Sequence, residues 1–214
     1  MCFKKFIDLI RSPVIWVRGN IVMIHKLLHE KKIVLASQSP RRKALFKLLG
    51  LAPLIIPARI HEPLTRETPY LQAMRHAKNK ALAVAAKMDP ETVIIGADTI
   101  VALDRDILGK PDSPEQAAEY LRLLSGRTHK VYTGICVCWQ GRCETRYERS
   151  LVEFAPLSEA EIAAYVDTRE PMDKAGAYGI QGYGSQFIRR VQGCYFNVMG
   201  FPIHLFYKMI NEMF

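Results

Sequence analysis

The chain reads as an α/β protein built on a mixed sheet, and three observations predict this. Strand-like apolar runs alternate with segments of helical periodicity from residue 33 onward. One pair of strand-like runs is separated only by a turn at Gln140-Gly141, which calls for an antiparallel hairpin within the sheet. The 214 residues, 49% hydrophobic and 24% charged, suit one compact domain or one domain divided into two lobes.

The elements follow in order. Residues 33–36, Ile-Val-Leu-Ala, form a short buried strand that runs straight into Ser37-Gln38-Ser39-Pro40-Arg41-Arg42. There Ser39 is a natural N-cap and Pro40 suits the first helical position. The helix turns Ala44, Leu45, Leu48 and Leu49 inward and stops at Gly50. An Ala-rich helix over 70–88 ends at Asp89-Pro90. A strand over 92–96 precedes Ala97-Asp98-Thr99 and a second apolar run to Leu103, and Asp104-Arg105-Asp106 turns the chain back toward Gly109-Lys110-Pro111. Ser113 to Gln116 reads as a capping box for a helix to Leu124, and Ser158 to Glu161 as another for a helix to about Val166. Between them lie the hairpin strands 131–139 and 145–154. A glycine-rich irregular stretch, a strand over 187–191 and a helix opened by Pro202 complete the chain.

Charge restricts the partners. The formal net charge is +9, but residues 1–32 hold seven Lys/Arg and two acids, so +4 remains for the rest. That remainder suits a small anionic ligand, and no basic run interleaved with aromatics, zinc-finger spacing or RNP-like sequence points to nucleic acid. Arg11 and Arg18 interrupt the apolar N-terminal run, so no membrane span is expected. Phe3, Phe6, Ile7 and Ile10 fall at helical spacing. They fit either an amphipathic targeting peptide or an extension upstream of a start at Met23, and the poverty in Ser and Arg favours the extension. Residues 1–32 are read as this extension and 33–214 as the domain. The five cysteines include no C-x-x-C pair, so reduced thiols and a cytoplasmic setting are expected, with Cys136 and Cys138 buried on one face of a strand.

Two features could carry chemistry. A strand that ends in small polar residues and feeds a helix N-terminus offers free N–H groups and a positive dipole end to phosphate, and Arg41 and Arg42 add two guanidiniums. A solvated helix face is the bland reading of the same residues. Asp98, a carboxylate following the apolar run 93–96, is a candidate metal ligand, general base or turn cap. Glu62 sits in a Pro-bounded loop where a solvated acid is the more natural reading, and Lys80 and Lys110 carry the same ambiguity. No Walker A loop, dinucleotide fingerprint, H-E-x-x-H or G-x-S-x-G is present.

Taken together, residues 36–42 (ASQSPRR), 96–99 (GADT), 109–111 (GKP), 125–129 (SGRTH) and 173–182 (DKAGAYGIQG) resemble the signature blocks of Maf proteins in order and spacing. The resemblance implies a two-lobed α/β fold similar to inosine triphosphate pyrophosphatases, with nucleotide in the cleft between lobes and often a homodimer. It implies hydrolysis of a nucleoside triphosphate between the α and β phosphates with a divalent cation, Mg²⁺ or Mn²⁺. Carried over position by position, Arg41 resembles the substrate-reading arginine, with Ser37, Ser39 and Arg42 beside it in the phosphate-holding loop. Asp98 resembles the proton acceptor and a metal ligand. Glu62, Lys80 and Lys110 resemble the acid and lysines that complete the metal and phosphate site. Thr99 and Gln181 match positions tied to substrate choice, and DKAGAYGIQG resembles the branch acting on dTTP and UTP rather than on 7-methyl-GTP. Maf proteins are also associated with arrest of cell division and septum formation, which offers a non-enzymatic alternative in which the nucleotide site is a sensor. Asp98 beside both arginines argues for turnover, since a pure binder gains little from a base where phosphate charge accumulates.

Overall fold

The computed structural model describes residues 23–63, 65 and 67–214. The short helix α1 (Ile24–Leu27) leads into β1 (Ile33–Leu35), which passes through a tight loop to α2 (Pro40–Leu48). Next come β2 (Leu54–Ile55), α3 (Pro69–Ala85), the long strand β3 (Val93–Leu103) and its return β4 (Asp106–Leu108). Helix α4 (Pro114–Leu124) precedes the hairpin of β5 (Thr128–Trp139) and β6 (Arg142–Phe154), which is followed by α5 (Glu159–Asp167). A series of 3-10 turns between residues 170 and 187 then leads to β7 (Ile188–Gln192), α6 (Tyr195–Val198) and α7 (Ile203–Met213).

The strands form one mixed sheet in the order β2-β1-β3-β5-β6-β7, with β4 also paired to β3. β1 lies parallel to β2 and β3, and the other pairings are antiparallel. One edge of β3 pairs with β1 as far as Ile95 and with β4 only from Val101. Between those points β1 has turned away into the α2 loop, leaving an opening in the sheet beside Asp98 and Thr99. Such an opening beyond the C-terminal end of a parallel strand is where α/β sheets receive ligands.

Alternation along β3 divides the packing. On one face Ile95 and Ala97 meet α1, α2 and α7 around the ring cluster Phe46, Phe201 and Phe206. Farther along that face Val101 and Leu103 meet α4, α5 and Tyr178. These two cores are the two lobes. The opposite face is covered by α3, whose approach is set by small residues: a Cβ added at Gly96 would lie 2.1 Å from the Ala77 carbonyl oxygen, and one at Gly134 would lie 2.4 Å from that of Ala73. The helix backbone therefore rests directly on the sheet.

Several expectations need correction. The inward face of α2 is Arg42, Leu45 and Phe46, whereas Ala44 and Leu48 face solvent, because the sheet lies a residue further around the helix than the apolar spacing suggests. Asp98 does not follow a strand end; β5 pairs with β3 along its length and keeps residues 93–103 continuous. Ile24 and Leu28, within the expected extension, are buried in the first core. The readings made on Phe3, Phe6, Ile7, Ile10, Arg11 and Arg18 lie outside the described residues. The thiols are not all reduced: Cys138 and Cys143, directly opposite each other beside the hairpin turn with Cα atoms 4.1 Å apart, form a disulfide. Directly opposed strand positions bring two sulfurs within reach of each other once the hairpin register is set. Cys136 and Cys138 are both buried on one face as expected, with sulfurs 3.8 Å apart. No helix among the described residues is long and apolar enough to cross a membrane.

Candidate active site

A cavity of about 570 Å³ opens where β1 leaves β3, lined from both lobes. It gathers Ser37, Ser39, Arg41, Arg42, Glu62, Lys80, Asp98, Thr99 and Lys110, residues drawn from five separate stretches of sequence. Arg59, Asp173 and Lys174 also line it, making six cationic side chains against three carboxylates. Such a surplus of positive charge in a walled cleft favours a polyanionic ligand.

The two loop arginines do different work. Arg42 is buried, and burial lowers its pKa while Asp98 opposes that shift. Its Nε donates to the Gly200 carbonyl at 2.8 Å, and its terminal nitrogens donate to Ser37 Oγ at 2.9 Å and Thr99 Oγ1 at 3.0 Å. The Thr99 hydroxyl also meets Thr133 Oγ1 at 3.0 Å, and Thr133 donates to the Asn197 carbonyl at 2.9 Å. Arg42 thus ties the loop, β3 and the segment before α7 together. Among the described residues Arg41 makes only a 3.6 Å pairing with Asp173 of the facing lobe, which leaves its guanidinium available to an incoming anion. Ser39 caps α2 through a long 3.5 Å bond from the Arg42 amide.

Asp98 occupies the opposite face of β3, beneath α3. Lys80 donates to its Oδ1 at 2.7 Å, and His76 Nδ1 lies 3.2 Å from its Oδ2. Burial by itself would raise the carboxyl's pKa; the His76 hydrogen bond and the charges of Lys80 and Arg42 together prevail and hold it below the usual carboxylate range. The group is therefore ionised at neutral pH. Lys80 also pairs with Glu62 Oε2 at 2.9 Å, while Glu62 Oε1 is buried with no hydrogen-bond partner among the described residues. Glu62, His76 and Asp98 each bring a donor atom to within 4.8 Å of the others. Two carboxylates with an uncommitted oxygen are a donor set suited to a hard divalent cation.

The facing wall is held through its backbone. Glu170 accepts from Tyr165 Oη at 2.9 Å, the Tyr183 amide at 2.9 Å and the Gly184 amide at 3.2 Å. Tyr165 Oη accepts in turn from the Gly179 amide at 3.2 Å. Behind this wall the buried His129 shares a 2.7 Å bond with Tyr178, and burial pushes its pKa down to about 4. Gln181 is the one expected site residue that the cavity lining does not include. It follows the lining residue Ile180 but its side chain is exposed, so in this state it is not a buried amide awaiting a partner.

Sequence reasoning missed His76, because its i, i+4 relation to Lys80 gains meaning only when α3 is known to lie over Asp98. It also missed the Arg42 anchor, whose partner Gly200 is 158 residues away. Arg59 carried no local signal, and Lys174 lies in the 173–182 block without having been singled out.

A family model described as Maf-like protein matches residues 32–213. The chain belongs to the Maf-like family. Relatives named dTTP/UTP pyrophosphatase include those of Bacillus velezensis, 45% identical over 85% of this chain and 96% of the relative, and Carboxydothermus hydrogenoformans, 46% identical over 85% and 98%. That of Aquifex aeolicus is 42% identical over 85% of this chain and 95% of its own. Among solved structures, the Staphylococcus aureus Ham1 protein aligns with 86% of this Maf-like chain and 100% of its own at a TM-score of 0.47 and 16% identity, a likeness too remote to carry an argument.

Proposed function

We propose that this Maf-like protein hydrolyses dTTP and UTP to the nucleoside monophosphate and pyrophosphate. The observation that carries the reading is an ionised Asp98 held by Lys80 and His76 at the edge of a cation-rich cleft, in a chain 42–46% identical to relatives named for that reaction.

The triphosphate binds against the start of α2 with Arg41, Lys110 and Arg59 beside it, where the helix dipole and fixed cations offset its charge. Arg42 keeps the loop in shape rather than moving toward substrate. Asp98 accepts a proton from the attacking water as its oxygen bonds to the α-phosphorus. The α–β bridging bond then breaks and pyrophosphate leaves with the bridging oxygen. The cations around the cleft are in place before the leaving group gains charge, so little reorganisation is required. Glu62 and Asp98 would hold the divalent cation, Mg²⁺ or Mn²⁺, which when bound neutralises phosphate charge and acidifies water. A base lying along Ile180 meets Gln181 at the mouth, where an amide offers the donor and acceptor that a uracil or thymine edge needs.

Hydrolysis in ¹⁸O-labelled water tests the route. The label belongs in the monophosphate, with unlabelled pyrophosphate; label in released orthophosphate with a diphosphate remaining would overturn it. On a panel of triphosphates, dTTP and UTP should exceed ATP and 7-methyl-GTP in kcat/KM by about tenfold or more, equivalent to about 1.4 kcal/mol.

A further inference from the structure

We propose that His76 is a nitrogen ligand of the divalent cation, so that this site favours Mn²⁺ or Co²⁺ over Mg²⁺. The inference rests on the reading that Glu62 and Asp98 hold such a cation.

Lys80 already occupies one oxygen of each acid, Glu62 Oε2 and Asp98 Oδ1. What remains is the buried, unpartnered Glu62 Oε1, Asp98 Oδ2, and the imidazole that faces Oδ2 from α3. Two ligands about 2.1 Å from an octahedral ion and cis to each other are about 3.0 Å apart; Nδ1 and Oδ2 are 3.2 Å apart. The His76 side chain is only 4% exposed, and its Nε2 has no hydrogen-bond partner among the described residues. The ring's only hydrogen bond among the described residues is the one from Nδ1 to Asp98 Oδ2, so a cation that takes Nδ1 as a ligand takes the place of that proton, which moves to Nε2. A neutral nitrogen adds no anionic charge to a site already crowded by Lys80 and Arg42. It shifts selectivity instead, because carboxylate oxygens suit Mg²⁺ and imidazole suits the first-row transition metals.

The test uses the full chain with an α,β-methylene analogue of dUTP, so that no turnover is needed. Pulsed EPR of bound Mn²⁺ should show nitrogen coupling that changes isotope pattern when only the histidines are ¹⁵N-labelled. His76→Gln should abolish that coupling and lower the Mn²⁺-to-Mg²⁺ affinity ratio by about tenfold or more, since even outer-shell partners of metal ligands matter to that degree. Absence of histidine coupling in the wild type, or coupling and ratio unchanged in His76→Gln, would overturn the assignment. If His76→Gln does not fold, the labelled wild type alone decides. Products other than monophosphate and pyrophosphate would remove the hydrolytic reading while leaving the nitrogen coupling to stand.

Discussion

The two walls of the cleft hold their working groups in opposite ways. On the wall of β1, β3, α2 and α3, side chains hold side chains: Lys80 and His76 grip Asp98, and Arg42 grips Ser37 and Thr99. On the wall of residues 170–187, one carboxylate and one phenol hold backbone amides, and the side chains at the tip face water. Charge that must be placed to a fraction of an ångström belongs on regular elements, where each residue is fixed by a packed repeat. A surface that must accommodate one base and reject others can lie on irregular chain, whose shape is set by a few anchors.

Substitution can break this contrast. The largest effect should follow Asp98→Asn, which keeps the shape but removes the proposed proton acceptor: kcat falls by about 10² or more with KM little changed. Turnover within a few-fold of wild type would show that the first wall does not hold the reacting group.

Acid should loosen the second wall. His129 is neutral when folded, its Nδ1 has no hydrogen-bond partner among the described residues, and its pKa is lowered to about 4 against about 6.5 unfolded. Between those values the unfolded chain binds more protons. The stability is thus present above about pH 6.5 and is lost progressively as pH falls toward 4, by roughly 3 kcal/mol. Thermal melts across that range should show the decline, and His129→Gln should flatten it.

Glu170→Ala removes three hydrogen bonds from the second wall. It should cost about 2 kcal/mol of stability and lower the preference for dTTP over ATP by about tenfold, mostly through KM. A fall confined to kcat would place Glu170 with the first wall. The smallest effect should come from deleting residues 1–22, which leaves kcat and the melting temperature unchanged. Cutting on past Leu28 removes buried core and should cost about 2–5 kcal/mol, as read from denaturant midpoints.

The same division explains what the sequence could tell. Ser39, Pro40 and the Ser158–Glu161 box are contacts within four residues, and the structure places them as read. The Ser113 box is only half formed: Ser113 accepts from the Gln116 amide, but Gln116 turns its side chain to the Asp112 amide. The hairpin turn at Gln140-Gly141 was legible, whereas the Cys138–Cys143 bond needed its register. The resemblance to Maf proteins marked the residues of the first wall but not their division of labour, because Arg42 and His76 acquire their partners only by long-range packing. Gln181, which matches a position tied to substrate choice, is exposed beside the lining residue Ile180 rather than part of the lining.

Gly96 and Gly134 let the α3 backbone rest on the sheet, and α3 carries both His76 and Lys80. The helix acts as a lever whose fulcrum is two missing methyl groups. Gly134→Ala would touch no group in the cleft, yet it would lift the helix and draw imidazole and ammonium together away from Asp98. Gly134 is paired across the sheet with Asp98 itself, so the ionisation of that carboxylate is governed by the thickness of a contact between two backbones.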